Sequence, residues 1–419
     1  MRSFNWGIRC LWAFVSCLLL TGCDSRAPID AIVVGDSMIP SLWGDHCDGC
    51  CKECSAQLRV GSIVLHRKMV KCPHCGSPLD FESFGIVVNS PLVIMAGNAD
   101  LSRFEVIAFQ EQDEPEIRKV KRIVGLPGEF VFIDGGNLFI NGKLHRKSQK
   151  EFREMSQLSF DSNYAPASSF ASDRTPNRSN WQKRGSVWHF KGNENQTQPS
   201  VLTLEYSRFG ETTPACIRDD FGVNESTTRK LNPMDEASYQ ILVAASPQAH
   251  FSFEIKSNNE WIIVQIDLKS HSISISGNEF NETVLFENNS QTDTNGLHEM
   301  KLECVIFDGA IELVMDDQSL YQGVIDFDAR AIPESPFFRA VGLEGEVRID
   351  RIQIFRDVFW FQDGKSNNEF ATAKFPGVQV PEDCFILLGD NQPISSDSRH
   401  WATPFVHRSN IIGRVHLAD

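Results

Sequence analysis

The chain has 419 residues, enough for two or three domains, with 41% hydrophobic and 23% charged residues. Those fractions belong to a globular protein and exclude a largely disordered one. The formal net charge is −15, and the acidic residues are spread along the chain. That excludes nucleic acid as the main partner, since phosphate binding needs clustered Lys and Arg.

The N-terminus reads as a targeting segment. Arg2 and Arg9 flank the uncharged run Cys10 to Gly22, CLWAFVSCLLLTG. As a helix this run would reach about 20 Å, against a bilayer core of roughly 30 Å, which suits a signal-peptide apolar region better than a full span. It closes on LLTGC, Leu19 to Cys23. That pattern resembles a bacterial lipobox, whose cysteine, here Cys23, is lipidated and becomes the new N-terminus. An uncleaved anchor helix over residues 1–23 is the other reading. Both tether the rest of the chain to a membrane, on its extracytoplasmic side. Residues 23 to 37 extend to at most about 50 Å, so Ser37 works near the bilayer.

Residues 31–34, AIVV, read as a short strand that leads into GDSMIPSL, residues 35–42. Six cysteines then crowd into residues 47–80, as CDGCCKEC and CPHC. Cys51-x2-Cys54 with Cys72-x2-Cys75 has the spacing of a four-cysteine zinc site, and Gly76 suits the tight turn after the second pair. Cys47-x2-Cys50 is an alternative first pair, and a disulfide cluster is the alternative chemistry. Four thiolates leave no open coordination position, so the expected zinc is structural: it folds a small ribbon and does not catalyse.

Residues 84–146 alternate short apolar runs with Gly and Pro turns: FGIVV, PLVIM, FEVIAF, VKRIVGLPGE, FVFIDGG, LFINGK. Residues 147–200 are rich in Ser, Asn, Gln and Arg and read as a long irregular connection. From about 186 to 361 the pattern is all-β, with HFSFEI, EWIIVQIDL, SISIS, TVLFE, MKLECVIF, AIELVM and VRIDRIQIF in turn-separated succession. It suggests a β-sandwich inside an insertion spanning 147–373. The stretch His298 to Gln318 is similar in fold to laminin-G/concanavalin-like sandwiches; many such sandwiches bind a glycan or a protein, and many others are packing modules without a ligand. Residues 374–419 return to strands and tight turns.

Three stretches carry chemistry. A serine hydroxyl, as in Ser37, is a poor nucleophile until a base takes its proton. Lys121 stands on the apolar strand VKRIVG, and a lysine buried in such surroundings has its pKa lowered from about 10.4 by roughly 3–5 units, enough to serve as that base. Ser-Lys pairs are a recognised form of nucleophile arrangement. The third stretch, LLGDNQPISSDSRHW (387–401), is a polar loop after an apolar strand.

Together, in this order, the stretches resemble bacterial type I signal peptidases. The family's first box matches Ser37, Met38, Pro40, Ser41 and Leu42. Its lysine box matches Lys121, Arg122 and Val124 to Glu129, followed by the turn Ile140 to Lys143. Its last box matches Gly389, Asp390, Asn391, Ser395, Asp397, Ser398 and Arg399. The resemblance implies a mainly β fold: a discontinuous signal-peptidase-like catalytic β-domain over 31–146 and 374–419, carrying an inserted zinc ribbon and an inserted β-sandwich. It also implies Ser37 as nucleophile, with its main-chain N–H as oxyanion donor, and Lys121 as general base. Ser395 would orient the Lys121 amine, Asp397 and Arg399 would pair, and Asp390 and Asn391 would shape the loop. The reaction implied is hydrolysis of exported preproteins after small residues, at a membrane, through an acyl-enzyme and with no catalytic cofactor. Asp36 stands where the family often has Gly, and an acid beside the nucleophile would raise the lysine pKa or repel an oxyanion. A catalytically degenerate scaffold that only binds glycan or protein is the rival reading.

Overall fold

The structure is a computed structural model that describes residues 27–67, 70–111, 114–172, 180–192, 198–204, 216–225, 229–257, 260–286, 292–293, 296–325, 337–362 and 377–418. The leader 1–23, with Cys23, lies outside the described residues. No described helix is long and apolar enough to cross a membrane.

The protein is mainly β. One sheet is built from both ends of the chain. Its strands run in the order Ile29–Ile32, Pro91–Ala96, Ile411–Leu417, Val106–Glu111, Glu114–Gly125, Cys384–Leu388, Val406–His407, all antiparallel. The middle strands are near-continuous apolar runs because both faces are covered. Leu92, Ile94 and Ala108 pack with Val33, Met38 and Leu42 on one face, and Ile107, Phe109, Ile123, Phe385 and Leu387 pack together on the other. A small sheet of Phe130–Asp134, Asn137–Ile140, Lys143–Leu144 and Val378–Gln379 leans on this body. Residues 84–88, expected as a strand, make only an isolated bridge from Val88 to His46, and Ile86 and Val87 stay exposed.

Two larger sheets stack as a sandwich. One contains Ala237–Ala245, His298–Phe307 and Glu346–Arg356, the other His250–Ser257, Glu260–Asp267 and Phe338–Glu344. Their facing side chains form one core, with Tyr239 stacked on Phe338 at 6.0 Å between ring centres. The sandwich begins earlier than its sequence pattern suggested. Segment 147–200, expected as irregular, holds the helix Gln149–Met155 and the strands Gln157–Asp161, Phe170–Ser172, Trp181–Arg184 and Val187–Lys191. Phe160, Phe170, Trp181 and Trp188 point into the core. Helix Gln149–Met155 is capped by a reciprocal Ser148–Glu151 pair.

The start of the insertion is held in a buried charge cluster. Lys147 Nζ pairs with Asp308 at 2.7 Å and Asp357 at 2.9 Å, and the Asp308 N–H donates to Glu236. Burial works against the Lys147 charge, but the Asp357, Asp308 and Glu236 carboxylates more than reverse this and hold it above the ordinary lysine range. Burial and its two carboxylate neighbours push Glu236 well above the usual carboxylate range.

Candidate active site

The Ser37 turn is anchored before it is polar. After Ile29–Ile32, Val33 N–H still bonds to Ser90 O at 3.1 Å, and the chain then leaves the sheet. Gly35 adopts φ +82°, a conformation that costs glycine little. Gly44 comes so close that a Cβ there would lie 2.6 Å from Gly35 O. Met38, Ile39 and Leu42 are buried, while Ser37 just before them is only half-buried. Ile39 N–H bonds to Asp36 O at 3.3 Å and Leu42 N–H to Met38 O at 3.0 Å, which fixes the direction of the serine.

Lys121 lies on strand Glu114–Gly125, opposite Ile107 on the neighbouring strand. It is 6% exposed. Its Nζ donates to Ser37 Oγ at 2.8 Å, across 84 residues of sequence. Burial pushes the amine down, the Asp397 and Asp390 carboxylates offset part of that, and the group ends at about 8. At pH 7 roughly one such amine in ten is neutral, against well under one in a thousand for an ordinary lysine. The same 2.8 Å contact then serves in reverse, with the hydroxyl donating to the neutral amine.

The loop 389–399 closes over this pair. Asn391 holds the turn twice: its N–H donates to Ser37 O at 3.0 Å and its Nδ2 to Asp36 O at 3.0 Å. Asp397, fully buried, accepts from Arg399 Nε at 2.8 Å, Arg399 Nη2 at 2.6 Å and Gly389 N–H at 3.0 Å. Burial acts to raise this carboxyl, but the Arg399 guanidinium and these hydrogen bonds outweigh it and hold the group well below the usual carboxylate range. Gln392 is built into the loop: its Oε1 accepts from Arg399 Nη1 at 2.8 Å and its Nε2 donates to Gly389 O at 2.7 Å. Ser398 Oγ accepts from Leu387 N–H at 2.9 Å and pins the loop to its strand.

Arg122 is a supporting residue to which the sequence reading gave no role. It forks onto Asp390 with bonds of 2.7 and 2.6 Å, and also donates to Phe104 O at 2.7 Å and Ser41 Oγ at 3.1 Å. One guanidinium thus ties the last loop to the Ser37 segment. Its place beside Lys121 in the sequence was the available signal.

Two expected residues behave differently from their assigned parts. Ser395 lies under the site, 2% exposed, but its Oγ has no hydrogen-bond partner among the described residues, Lys121 included. It sits where a Cβ on Gly389 would collide with it and approach Ser37 O to 2.6 Å, so only glycine fits position 389. The Asp36 carboxyl turns away from the dyad. It is 9% exposed, and burial raises its pKa while the Ile63 backbone N–H lowers it. The charges acting on Lys121 come first from Asp397 and Asp390, ahead of Asp36.

In the ribbon, the Sγ atoms of Cys51, Cys54, Cys72 and Cys75 lie within 4.8 Å of one another. Cys51 and Cys75 are 3.6 Å apart, Cys54 and Cys72 3.7 Å. A tetrahedral zinc with bonds of about 2.3 Å needs sulfurs about 3.8 Å apart, whereas a disulfide needs about 2.05 Å, so the four thiols fit the metal. Cys47 and Cys50, the alternative first pair, lie on strand His46–Cys50 outside this cluster.

Comparison with known proteins gives a family match. A family model described as signal peptidase, peptidase S26, matches residues 52–198 and 264–418, a range that contains Lys121 and the last loop and begins after Ser37. No curated protein matches the chain. Among solved structures it is similar to galectin LEC-6 of Caenorhabditis elegans, with 10% identity over 29% of this chain and 83% of that one and a TM-score of 0.22. It is also similar to the carbohydrate-binding module CBM66 of Bacillus subtilis, with 9% identity, 45% and 93% coverage and a TM-score of 0.23. A third is the GlcNAcα1-4Gal-releasing endo-β-galactosidase of Clostridium perfringens, with 9% identity, 50% and 65% coverage and a TM-score of 0.33.

Proposed function

The chain belongs to the signal peptidase family, peptidase S26, and on that premise we propose that it is a membrane-tethered serine endopeptidase that removes signal peptides from exported preproteins with a Ser37–Lys121 dyad. The observation that carries the reading is the 2.8 Å contact between Ser37 Oγ and a buried Lys121 amine whose pKa is lowered to about 8.

Neutral Lys121 takes the Ser37 proton as Oγ attacks the scissile carbonyl carbon. The carbonyl oxygen gains the negative charge, and the Ser37 main-chain N–H is its donor. Protonated Lys121 then gives its proton to the departing amine, and the C–N bond breaks to leave an acyl-enzyme on Ser37. A water, deprotonated by Lys121, cleaves that ester and restores both groups. Substrates are extracytoplasmic preproteins with small residues before the cut, bound as an added edge strand. Asn391, Asp390 with Arg122, and Asp397 with Arg399 hold the two loops in register. Cys51, Cys54, Cys72 and Cys75 would hold zinc, which supplies folding of the ribbon and, with four thiolates, no catalytic position.

The test is a processing assay on an exported preprotein, with wild type and Ser37→Ala side by side. Cleavage by wild type alone is expected. Equal, uncleaved preprotein from both would sink the reading and favour a binding scaffold without turnover.

A further inference from the structure

We propose that Asp36 is a positioning residue that couples the nucleophile turn to the cysteine ribbon, and that Asn224 of the large insertion holds the ribbon in that position. The catalytic consequence rests on the Ser37–Lys121 reading; the coupling itself does not.

Asp36 is the residue before Ser37, and its main chain already serves the turn, accepting from Ile39 N–H and Asn391 Nδ2. Its side chain points the other way, into the ribbon. There it meets Gly61, the residue before the short helix Ser62–Leu65. A Cβ at Gly61 would lie 3.3 Å from Asp36 Oδ1 and 3.1 Å from Ile39 Cδ1. The backbone at Gly61 has φ −70° and ψ 151°, which any residue adopts. A side chain at Gly61 would press the Ile39 and Asp36 side chains by a few tenths of an ångström, while the backbone conformation itself does not call for glycine. The Ile63 backbone N–H faces the same carboxyl, and Ser62 N–H bonds to Asp45 O at 2.7 Å, just past the nucleophile segment.

The ribbon edge is itself held from outside. Strand Gln57–Gly61 pairs with His46–Cys50 on one side. On its other side the Asn224 amide takes the place of a third strand: Oδ1 accepts from Gly61 N–H at 2.9 Å, and Nδ2 donates to Arg59 O at 3.0 Å. The path from insertion to nucleophile is therefore Asn224 bonded to Gly61, Gly61 beside the buried Asp36 carboxyl, whose Oδ1 carries no hydrogen bond among the described residues, and Asp36 next to Ser37 in the chain. It gives both inserted modules a part in the site. It also gives Asp36 a function that leaves the charge balance of the dyad alone.

The experiment uses the full chain and four variants: Asp36→Asn, Asp36→Ala, Gly61→Ala and the Asp36→Ala/Gly61→Ala double. Hydrogen exchange is read at the Ile39 and Leu42 amides, which bond within the turn, and at Leu387 and Ser398 as reference. Asp36→Ala and Gly61→Ala are expected to speed exchange at Ile39 and Leu42 by about tenfold or more while the reference amides hold. In preprotein cleavage they are expected to lower kcat by about 10- to 100-fold with KM little changed, the scale of a displacement near 1 Å. Asp36→Asn, which keeps an acceptor oxygen, restores both readouts, and its pH–rate midpoint stays at the wild-type value. The double variant is no worse than the worse single one, because the two act through one contact. Unchanged exchange at Ile39 and Leu42 in Asp36→Ala overturns the proposal. So does equal loosening of the reference amides, or a shifted pH midpoint in Asp36→Asn. If wild type cleaves no better than Ser37→Ala, the peptidase reading fails, and the exchange data still decide the coupling.

Discussion

Two buried lysines in this protein carry opposite chemistry. Lys121 faces a hydroxyl, with its nearest carboxylates engaged by Arg399 and Arg122, and its pKa is lowered to about 8. Lys147 is buried as deeply but lies directly against Asp308 and Asp357, and its pKa is raised. Burial alone therefore does not make a base. What matters is whether the neighbouring carboxylates are free to pair with the amine or already belong to arginines. Beside Ser37, Asp397 and Asp390 lend Lys121 a modest field while Arg399 and Arg122 take their hydrogen bonds.

The comparison breaks most visibly under substitution by methionine. Lys121→Met is expected to lose roughly 10^4-fold or more in kcat, with thermal stability equal to or above wild type, since a costly buried amine is replaced by an apolar chain of similar length. Lys147→Met is expected to do the reverse. It strands Asp308 and Asp357 in the interior and costs about 3–5 kcal/mol in urea unfolding, while the protein that remains folded keeps the wild-type pH midpoint of cleavage. Equal losses of activity in the two variants would erase the distinction.

Arg399→Ala tests the other half of the contrast, the arginine that occupies Asp397. It leaves a fully buried carboxylate unpaired, at a cost of about 3–5 kcal/mol at pH 7. The sign with pH follows from the depressed carboxyl. In wild type its contribution is fully present above the unfolded value, near 3.9, and is lost as pH falls through the lower folded value. In the variant burial dominates and the carboxyl rises, so the stability gap to wild type narrows on acidification. Urea unfolding at pH 7 and pH 4 reads this directly, and a gap that widens at pH 4 contradicts it. The ribbon offers a smaller, local test. Metal analysis of the purified chain is expected to find about one zinc, lost in Cys51→Ser and Cys72→Ser and kept in Cys50→Ser. The smallest shift of the pH profile is expected from Asp390→Asn, which removes the charge but keeps an oxygen for Arg122. The Asp390 charge raises the Lys121 pKa, so neutralising it moves the acid limb of the cleavage profile below pH 8.

Much of this was legible before the structure, for physical reasons that differ by region. The order of Ser37, Lys121 and the loop 389–399 could be read because the three stretches together resemble the boxes of bacterial type I signal peptidases, although each alone looks like an ordinary turn or strand. The paired cysteines could be read because metal ligation fixes their spacing. Segment 147–200 could not, because Phe160, Phe170 and Trp181 enter the core singly, with polar residues between them and no sustained period. The fork of Arg122 on Asp390 joins residues 268 apart, and the Lys147–Asp308 pair joins residues 161 apart, separations that no local pattern carries. Asp36 was assessed as a neighbour of Ser37 in sequence, yet its carboxyl belongs to the ribbon in space.

The most direct measurement of the central claim is the pH dependence of kcat/KM for preprotein cleavage, in wild type and in Lys121→Met. Free-enzyme ionisation governs that ratio, so the account predicts a wild-type rate that rises with pH through a midpoint of about 8, the value of the Lys121 amine, and no such limb in the variant. A wild-type midpoint near 6.5, the value of an ordinary histidine, or a Lys121→Met enzyme that cleaves at the wild-type rate, would contradict it.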